Sequence, residues 1–154
     1  MQMPVKREYP DAPLIGVGAI ILDGDHVVLA RRGNQPSAGD WSIPGGLVHL
    51  GETLIEAVIR EAFEETSLQV KPLFLVELME RIFRDENGRI RYHYVLADYC
   101  CAIMGGNLGA GSDATEVMWA DISKLEDFNL AAITVKVVRK ALKMRNDTLA
   151  STLD

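Results

Sequence analysis

GLVHLGETLIEAVIREAFEETSL, residues 46–68, carries two patterns at once. Thr53 and Glu56 form the T-x-x-E signature of a capping box, which satisfies free backbone N–H groups at a helix start, so the spacing predicts a helix over 54–66. At about 100° per residue, Leu54, Ile55, Val58, Ile59 and Ala62 fall on one broad apolar face, and Glu61, Glu64 and Glu65 lie together beside it. The small Ala57 sits on the acidic side, one turn before Glu61, where it leaves room for something to approach. Like charges at this spacing cost about 0.2–0.5 kcal/mol per pair. A solvated helix face is the ordinary explanation of such a run, and a bound divalent cation is the alternative; residues outside the helix decide between them.

Composition narrows the choice. The chain has 154 residues, of which 48% are hydrophobic, enough for one domain over 1–154 with a proper core. Its net charge of −6 speaks against a nucleic-acid-binding surface, which needs clustered Lys and Arg. An anionic substrate would need a metal ion or local basic help. Cys100 and Cys101 are adjacent in an apolar run where side chains alternate faces, so they read as core thiols and not as a disulfide. The opening MQMPVKREYP is polar and no apolar run reaches the length of a membrane span, so the expected setting is the cytoplasm, away from membranes.

The flanking sequence alternates strands with one further helix. LIGVGAIILDGDHVVLARR reads as two β-branched strands joined at Asp23-Gly24-Asp25. Residues 33–46 are rich in Gly, Pro and Ser, predicting a loop with a short strand around Trp41–Ile43. Two long extended runs, 68–83 and 89–104, flank an Asn87-Gly88 turn and predict a long antiparallel hairpin. GGNLGAGSD (105–113) is a loop, and without a Gly-Lys-Ser/Thr ending it is no phosphate-binding P-loop. Residues 115–120 predict a strand, 131–144 an amphipathic helix, and the last ten residues a frayed end.

The spacing of Gly46, Glu52, Arg60-Glu61, Glu64-Glu65 and Leu68 resembles the Nudix box, Gx5Ex7REUxEExGU, with U a bulky aliphatic. Two positions depart. Ala62 stands where the box has an aliphatic, and Ser67 where it has Gly at the helix end, a left-handed position in which Ser should cost on the order of 1 kcal/mol. His49 occupies a place where many relatives carry Glu. The resemblance implies the Nudix fold, an α/β/α sandwich with a central mixed β-sheet, covering about residues 14–143.

It further implies that Glu61, Glu64 and Glu65 hold Mg²⁺, with Mn²⁺ as substitute, helped by the Gly46 carbonyl, and that Glu52 and Arg60 pair to tie loop to helix. Arg60 could equally pair with Glu56, four positions earlier. Carboxylates at i, i+3 and i+4 are hard oxygen donors of the kind Mg²⁺ takes while keeping several waters. The implied activity is hydrolysis of the pyrophosphate bond in a nucleoside diphosphate linked to another moiety. RRGNQPSAGDWSIPGGLV and SDATEVMWADI are similar to small ADP-ribose pyrophosphatases, making ADP-ribose the first substrate, although Arg81-Ile82-Phe83-Arg84 lacks the proline many of them place there. A nucleoside-triphosphate pyrophosphatase of the MutT type and a non-hydrolytic nucleotide-sensing domain stay open. Arg31 or Arg32 could reach a substrate phosphate, and Asp113 or Glu116 could supply a further acid. Trp41 and His49 read as packing and loop residues, and Tyr92-His93-Tyr94 as sheet surface, a homodimer contact or, at alternate positions, pocket lining.

Overall fold

The computed structural model describes residues 5–31, 33, 39–111, 114 and 116–152. Strand β1 (Leu14–Asp23) turns through Gly24, whose φ of +57 favours glycine, into β2 (His26–Arg31). The two pair only beside the turn, Leu22 with Val27 and Asp23 with His26. Beyond it they part: β2 pairs with β3 (Trp41–Ser42) and β7 (Val117–Asp121), while the first half of β1 takes β4 (Gly45–Leu47) on that side. On its other side β1 runs parallel to β6 (Ile90–Gly105), and β6 is antiparallel to β5 (Gln69–Arg84). The sheet is therefore mixed, in the order β3-β2-β1-β6-β5. Residues 16–22 of β1 are buried without interruption, as in a strand covered on both faces, which explains its unbroken apolar sequence.

A helix covers each face. On one, α1 (Leu54–Thr66) packs Ala57, Val58 and Ala62 against Val17, Ala19, Ile21 and Cys101. On the other, α2 (Ala132–Thr152) packs Val137, Val138 and Ala141 against Ile20, Leu22 and Cys100. Alternate residues of β1 and β6 thus serve opposite cores, and the adjacent cysteines are free, buried and on different faces. Burial pushes the Cys100 thiol up to about 11 and Cys101 higher, as expected of packing thiols. The architecture is the α/β/α sandwich the resemblance implied.

The β5–β6 hairpin closes where Asp85 accepts hydrogen bonds from the backbone N–H groups of Asn87 and Arg89, with Gly88 at φ +80. The entry segment lies along this hairpin: the Tyr9 N–H donates to the Arg91 carbonyl at 2.7 Å and its hydroxyl to Asp85 at 2.9 Å.

Three local expectations are corrected. Ile55 and Ile59 are about two-fifths exposed, whereas Ala57 and Glu61 are buried, so α1 is turned toward its acidic side. The turn follows from Glu61 being drawn against β4, as described below. Second, α2 does not end at 144 but runs to Thr152. Arg145 anchors the extension by donating to the Gly24 carbonyl at 2.9 Å, and no Gly or Pro interrupts it. Third, β4 itself and a 3₁₀ segment over Ile122–Phe128, capped by Asp121, are additions.

Candidate active site

Arg60 is the hub of the site. Its Nε donates to Glu52 Oε2 at 2.6 Å and Nη2 to Glu52 Oε1 at 2.9 Å, a two-bond fork between helix and preceding loop. Nη2 also donates to the Leu47 carbonyl at 2.9 Å, and Nη1 to Glu61 at 2.7 Å and Glu64 at 3.1 Å. The rival partner Glu56 is engaged elsewhere, accepting from the Thr53 N–H while the Thr53 hydroxyl accepts from the Glu56 N–H. The Arg60 guanidinium holds the Glu52 carboxyl down at about 2, aided by the His49 N–H. Arg60 is correspondingly raised, and permanently charged.

Glu61 is 7% exposed and lies against the backbone of β4. A Cβ built on Gly46 would overlap its carboxylate, so only glycine leaves this cradle open. Glu65 reaches the same strand one residue earlier, accepting from the Gly45 N–H at 3.3 Å. Gly46, Glu52, Arg60, Glu61, Glu64 and Glu65 are therefore brought together, across loop, strand and helix. At the far end of α1, Ser67 adopts the left-handed conformation (φ 64) that Gly would take, and its hydroxyl donates to the Gly109 carbonyl at 3.2 Å.

This cluster forms one wall of a cavity of about 440 Å³. The opposite wall was largely missed from sequence. It is the β5–β6 surface, where Asp98, Leu96 and Tyr94 alternate with residues of the core and sit across from Glu77, Met79 and Arg81. The Tyr92-His93-Tyr94 strip thus contributes Tyr94 to the lining, and its buried hydroxyl has no hydrogen-bond partner among the described residues. Arg81 lies over the Phe83 ring at 5.2 Å, and Arg7 lines the cavity from the entry segment. Burial, and then the charge of Glu77, pushes the Asp98 carboxyl up to about 6. Nothing in the local spacing marks Asp98 or Arg81: Asp98 is the single acid of β6, and Arg81 is one of five charged residues of β5.

Arg31 and Glu116 pair with each other at 2.9 Å at the exposed end of β2, with Arg31 over the Trp41 ring at 5.2 Å. Neither belongs to the cavity lining among the described residues. Arg32 and Asp113 lie outside the described residues.

The donor set suits a hard cation. Carboxylates and a backbone carbonyl are the oxygen ligands Mg²⁺ takes, and the Gly46 cradle leaves their approach clear. In the structure Arg60 holds two of the carboxylates, and among the described residues no three such groups converge closely enough to clasp an ion as they stand.

The NUDIX domain family matches residues 12–141. The chain is 34% identical over 134 residues to an ADP-ribose pyrophosphatase of Methanocaldococcus jannaschii, a match spanning 87% of this chain and 76% of that protein. It is 28% identical over 119 residues to a MutT-like protein of Streptomyces ambofaciens, spanning 77% and 71%. Among solved structures it is similar to a MutT NUDIX hydrolase from Burkholderia pseudomallei, with a TM-score of 0.73 and 26% identity over 84% of this chain and 98% of that one.

Proposed function

The chain belongs to the NUDIX family of hydrolases, and from that premise we propose that it cleaves the pyrophosphate bond of a nucleoside diphosphate linked to a second moiety, ADP-ribose first, giving AMP and ribose 5-phosphate. The observation that carries this reading is that Glu61, Glu64 and Glu65 line, with the Gly46 cradle, one wall of a cavity that also presents Arg7 and Arg81. In a chain of net charge −6, the guanidinium groups of Arg7 and Arg81, in the same cavity as Arg60, supply local attraction for an anionic substrate.

Mg²⁺, or Mn²⁺ in its place, would be held by Glu61, Glu64, Glu65 and the Gly46 carbonyl, where it would neutralise phosphoryl charge and make water more acidic. The chain's own share is positioning. Arg60 fixes Glu61 and Glu64 relative to the loop through the Glu52 fork, and β4 fixes Glu61 and Glu65 from the other side. Hydrolysis of this kind depends on alignment and charge neutralisation more than on covalent help from the protein. Water's oxygen adds to one phosphorus, and the bridging oxygen leaves with the other phosphate.

The similarity to an ADP-ribose pyrophosphatase supports ADP-ribose. The similarity to a MutT-like protein favours a second reading, a nucleoside-triphosphate pyrophosphatase. A panel of ADP-ribose, nucleotide sugars, dinucleotides and triphosphates with Mg²⁺ or Mn²⁺ separates them. ADP-ribose giving AMP supports the first reading, and pyrophosphate release from triphosphates with ADP-ribose intact supports the second. Tight binding of any of these without cleavage would replace both with a sensing role.

A further inference from the structure

We propose that Asp98 selects the sugar of the substrate's nucleoside half, accepting hydrogen bonds from the 2′- and 3′-hydroxyls of a ribose, so that the cavity prefers ribonucleotides to 2′-deoxyribonucleotides. The inference rests on the pyrophosphohydrolase reading for the location of the diphosphate.

Asp98 is only 7% exposed, lines the cavity and has no hydrogen-bond partner among the described residues. An ionised carboxylate is an acceptor with two oxygens, a match for two adjacent hydroxyls. Its direction is set by glycines. Gly18 pairs with Asp98 on β1, and a Cβ built there would overlap the Asp98 carboxylate and come within 2.7 Å of Ile43 Cδ1. Gly16 likewise makes room for Leu96, whose Cδ2 lies 2.7 Å from the built Cβ. The Asp98 side chain therefore leans across β1 toward β4.

Gly18 in turn pairs with Gly45, the residue whose N–H binds Glu65. With strands about 4.8 Å apart, the Asp98 backbone lies roughly 10 Å from the edge of the carboxylate cluster. That places its side chain where the sugar attached to a diphosphate would sit. Farther along the same strand face come Leu96 and Met79, then Arg81 and the hydroxyl of Tyr94, unpartnered among the described residues. Residues 94 and 98 are about 13 Å apart along the strand, a span that accommodates a ribose followed by its base. The sequence acid, apolar bed, guanidinium with aromatic ring has the order of sugar and then base.

The test measures kcat/KM for ADP-ribose against its 2′-deoxyadenosine counterpart and for ATP against 2′-dATP, in the wild type, Asp98→Asn and Asp98→Ala. Calorimetric binding of AMP against 2′-deoxy-AMP runs in parallel and needs no turnover. The expected result is a wild-type preference for the ribose member of at least tenfold, falling below threefold in both variants through a raised KM for the ribose member. Asp98→Asn keeps the side-chain shape, and a thermal melt checks that it folds. An unchanged ratio in either variant, no wild-type preference, or failure of AMP to bind overturns the proposal. So does an equal loss of kcat for both members with the ratio intact, which would assign Asp98 to the carboxylate cluster. Retained AMP selectivity without hydrolysis of any substrate would overturn the enzymatic reading alone.

Discussion

Arg60 and Glu52 are joined by two hydrogen bonds, 2.6 and 2.9 Å long, that cross from the first turns of α1 back to the loop before it. A lysine ammonium cannot reproduce this planar fork while also reaching Leu47, Glu61 and Glu64. Arg60→Lys is therefore expected to cost about 1–3 kcal/mol of stability and to lower turnover more than tenfold, because Glu61 and Glu64 lose their shared guide. Urea unfolding and steady-state kinetics on the same preparation check this; unchanged values in both would remove Arg60 from the positioning role. The pH dependence follows from Glu52. Its folded pKa of about 2 lies below the ordinary 4.5, so its contribution is present above pH 4.5 and is lost only as pH falls toward 2. Glu52→Gln should lack that acid loss.

Two neighbouring glycines should respond differently to alanine. At Gly46 the new Cβ meets the end of the Glu61 side chain, which can swing away. Gly46→Ala is expected to cost about 1 kcal/mol or less in stability but to reduce turnover on the order of a hundredfold if Glu61 holds the metal as proposed, since small misplacements of a reacting or positioning group are expensive. At Gly45 the Cβ meets the Val17 backbone, 3.1–3.2 Å or less from several main-chain atoms, and nothing there can swing. Gly45→Ala should lose about 1–3 kcal/mol. Melting temperature and kcat measured on both variants distinguish a displaced glutamate from a displaced strand; equal behaviour would sink the distinction.

Ser67 shows how a departure from the family pattern is accommodated. Its backbone is left-handed, which costs a non-glycine residue about 1 kcal/mol, while its hydroxyl contributes a bond to the Gly109 carbonyl worth about as much. Ser67→Gly should therefore change stability by well under 1 kcal/mol, and Ser67→Ala, which keeps the strain and loses the bond, should destabilise by about 1 kcal/mol. Chemical denaturation of the pair is the check, and a Gly variant stabilised by the full conformational term would show that the hydroxyl contributes nothing.

The pattern of what sequence revealed follows the range of the interactions. Capping at Thr53 and Glu56, the turns at Gly24 and Gly88, and the long hairpin depend on residues within a few positions of each other, and all were legible. The rotation of α1 was not, because it is set by Glu61 lying against Gly46, a tertiary contact that overrides the apolar stripe containing Ile55 and Ile59. Likewise the parallel pairing of β1 with β6 brings Asp98 beside Gly18 from 80 positions away, as the register shows. Glu52, Arg60 and the three glutamates were read from one contiguous segment, and Tyr94 from the alternation of its strand, whereas Asp98, Arg81 and Arg7 come from two strands and the entry segment, with no local spacing to announce them.

If Glu64 and Glu65 hold a divalent cation, their neutral isosteres should abolish its effect before anything else. Glu64→Gln and Glu65→Gln are expected to fold normally and to lose about two to three orders of magnitude in turnover, as removal of a principal charge-stabilising group typically does. Mg²⁺ should raise the melting temperature of the wild type through preferential binding to the folded state and do so less in the variants. Differential scanning calorimetry with and without chelator reads this without any substrate. Wild-type turnover in both variants would remove these two residues from the metal site.

Asp98 should leave its own mark on the stability profile. Its carboxyl titrates at about 6 in the folded chain against 3.8 ordinarily, first because it is buried and then because the Glu77 carboxylate faces it. Glu77 is itself kept ionised by Lys140 of α2, 2.8 Å away, so the facing charge stays in place over this range. A raised carboxyl pKa means that the folded chain binds the proton more tightly than the unfolded one. The associated stability is complete below pH 3.8 and is lost as pH rises through 6. A shift of this size corresponds to at most about 3 kcal/mol. Asp98→Asn removes the titration, so wild type and variant should be similar near pH 4 and diverge as pH rises, with the variant the more stable above pH 6. Urea unfolding of both proteins from pH 4 to 8 in metal-free buffer measures the divergence. Parallel curves would mean that Asp98 is solvated well enough to ionise without cost, and the buried acid would lose its place as the polar anchor of the cavity floor.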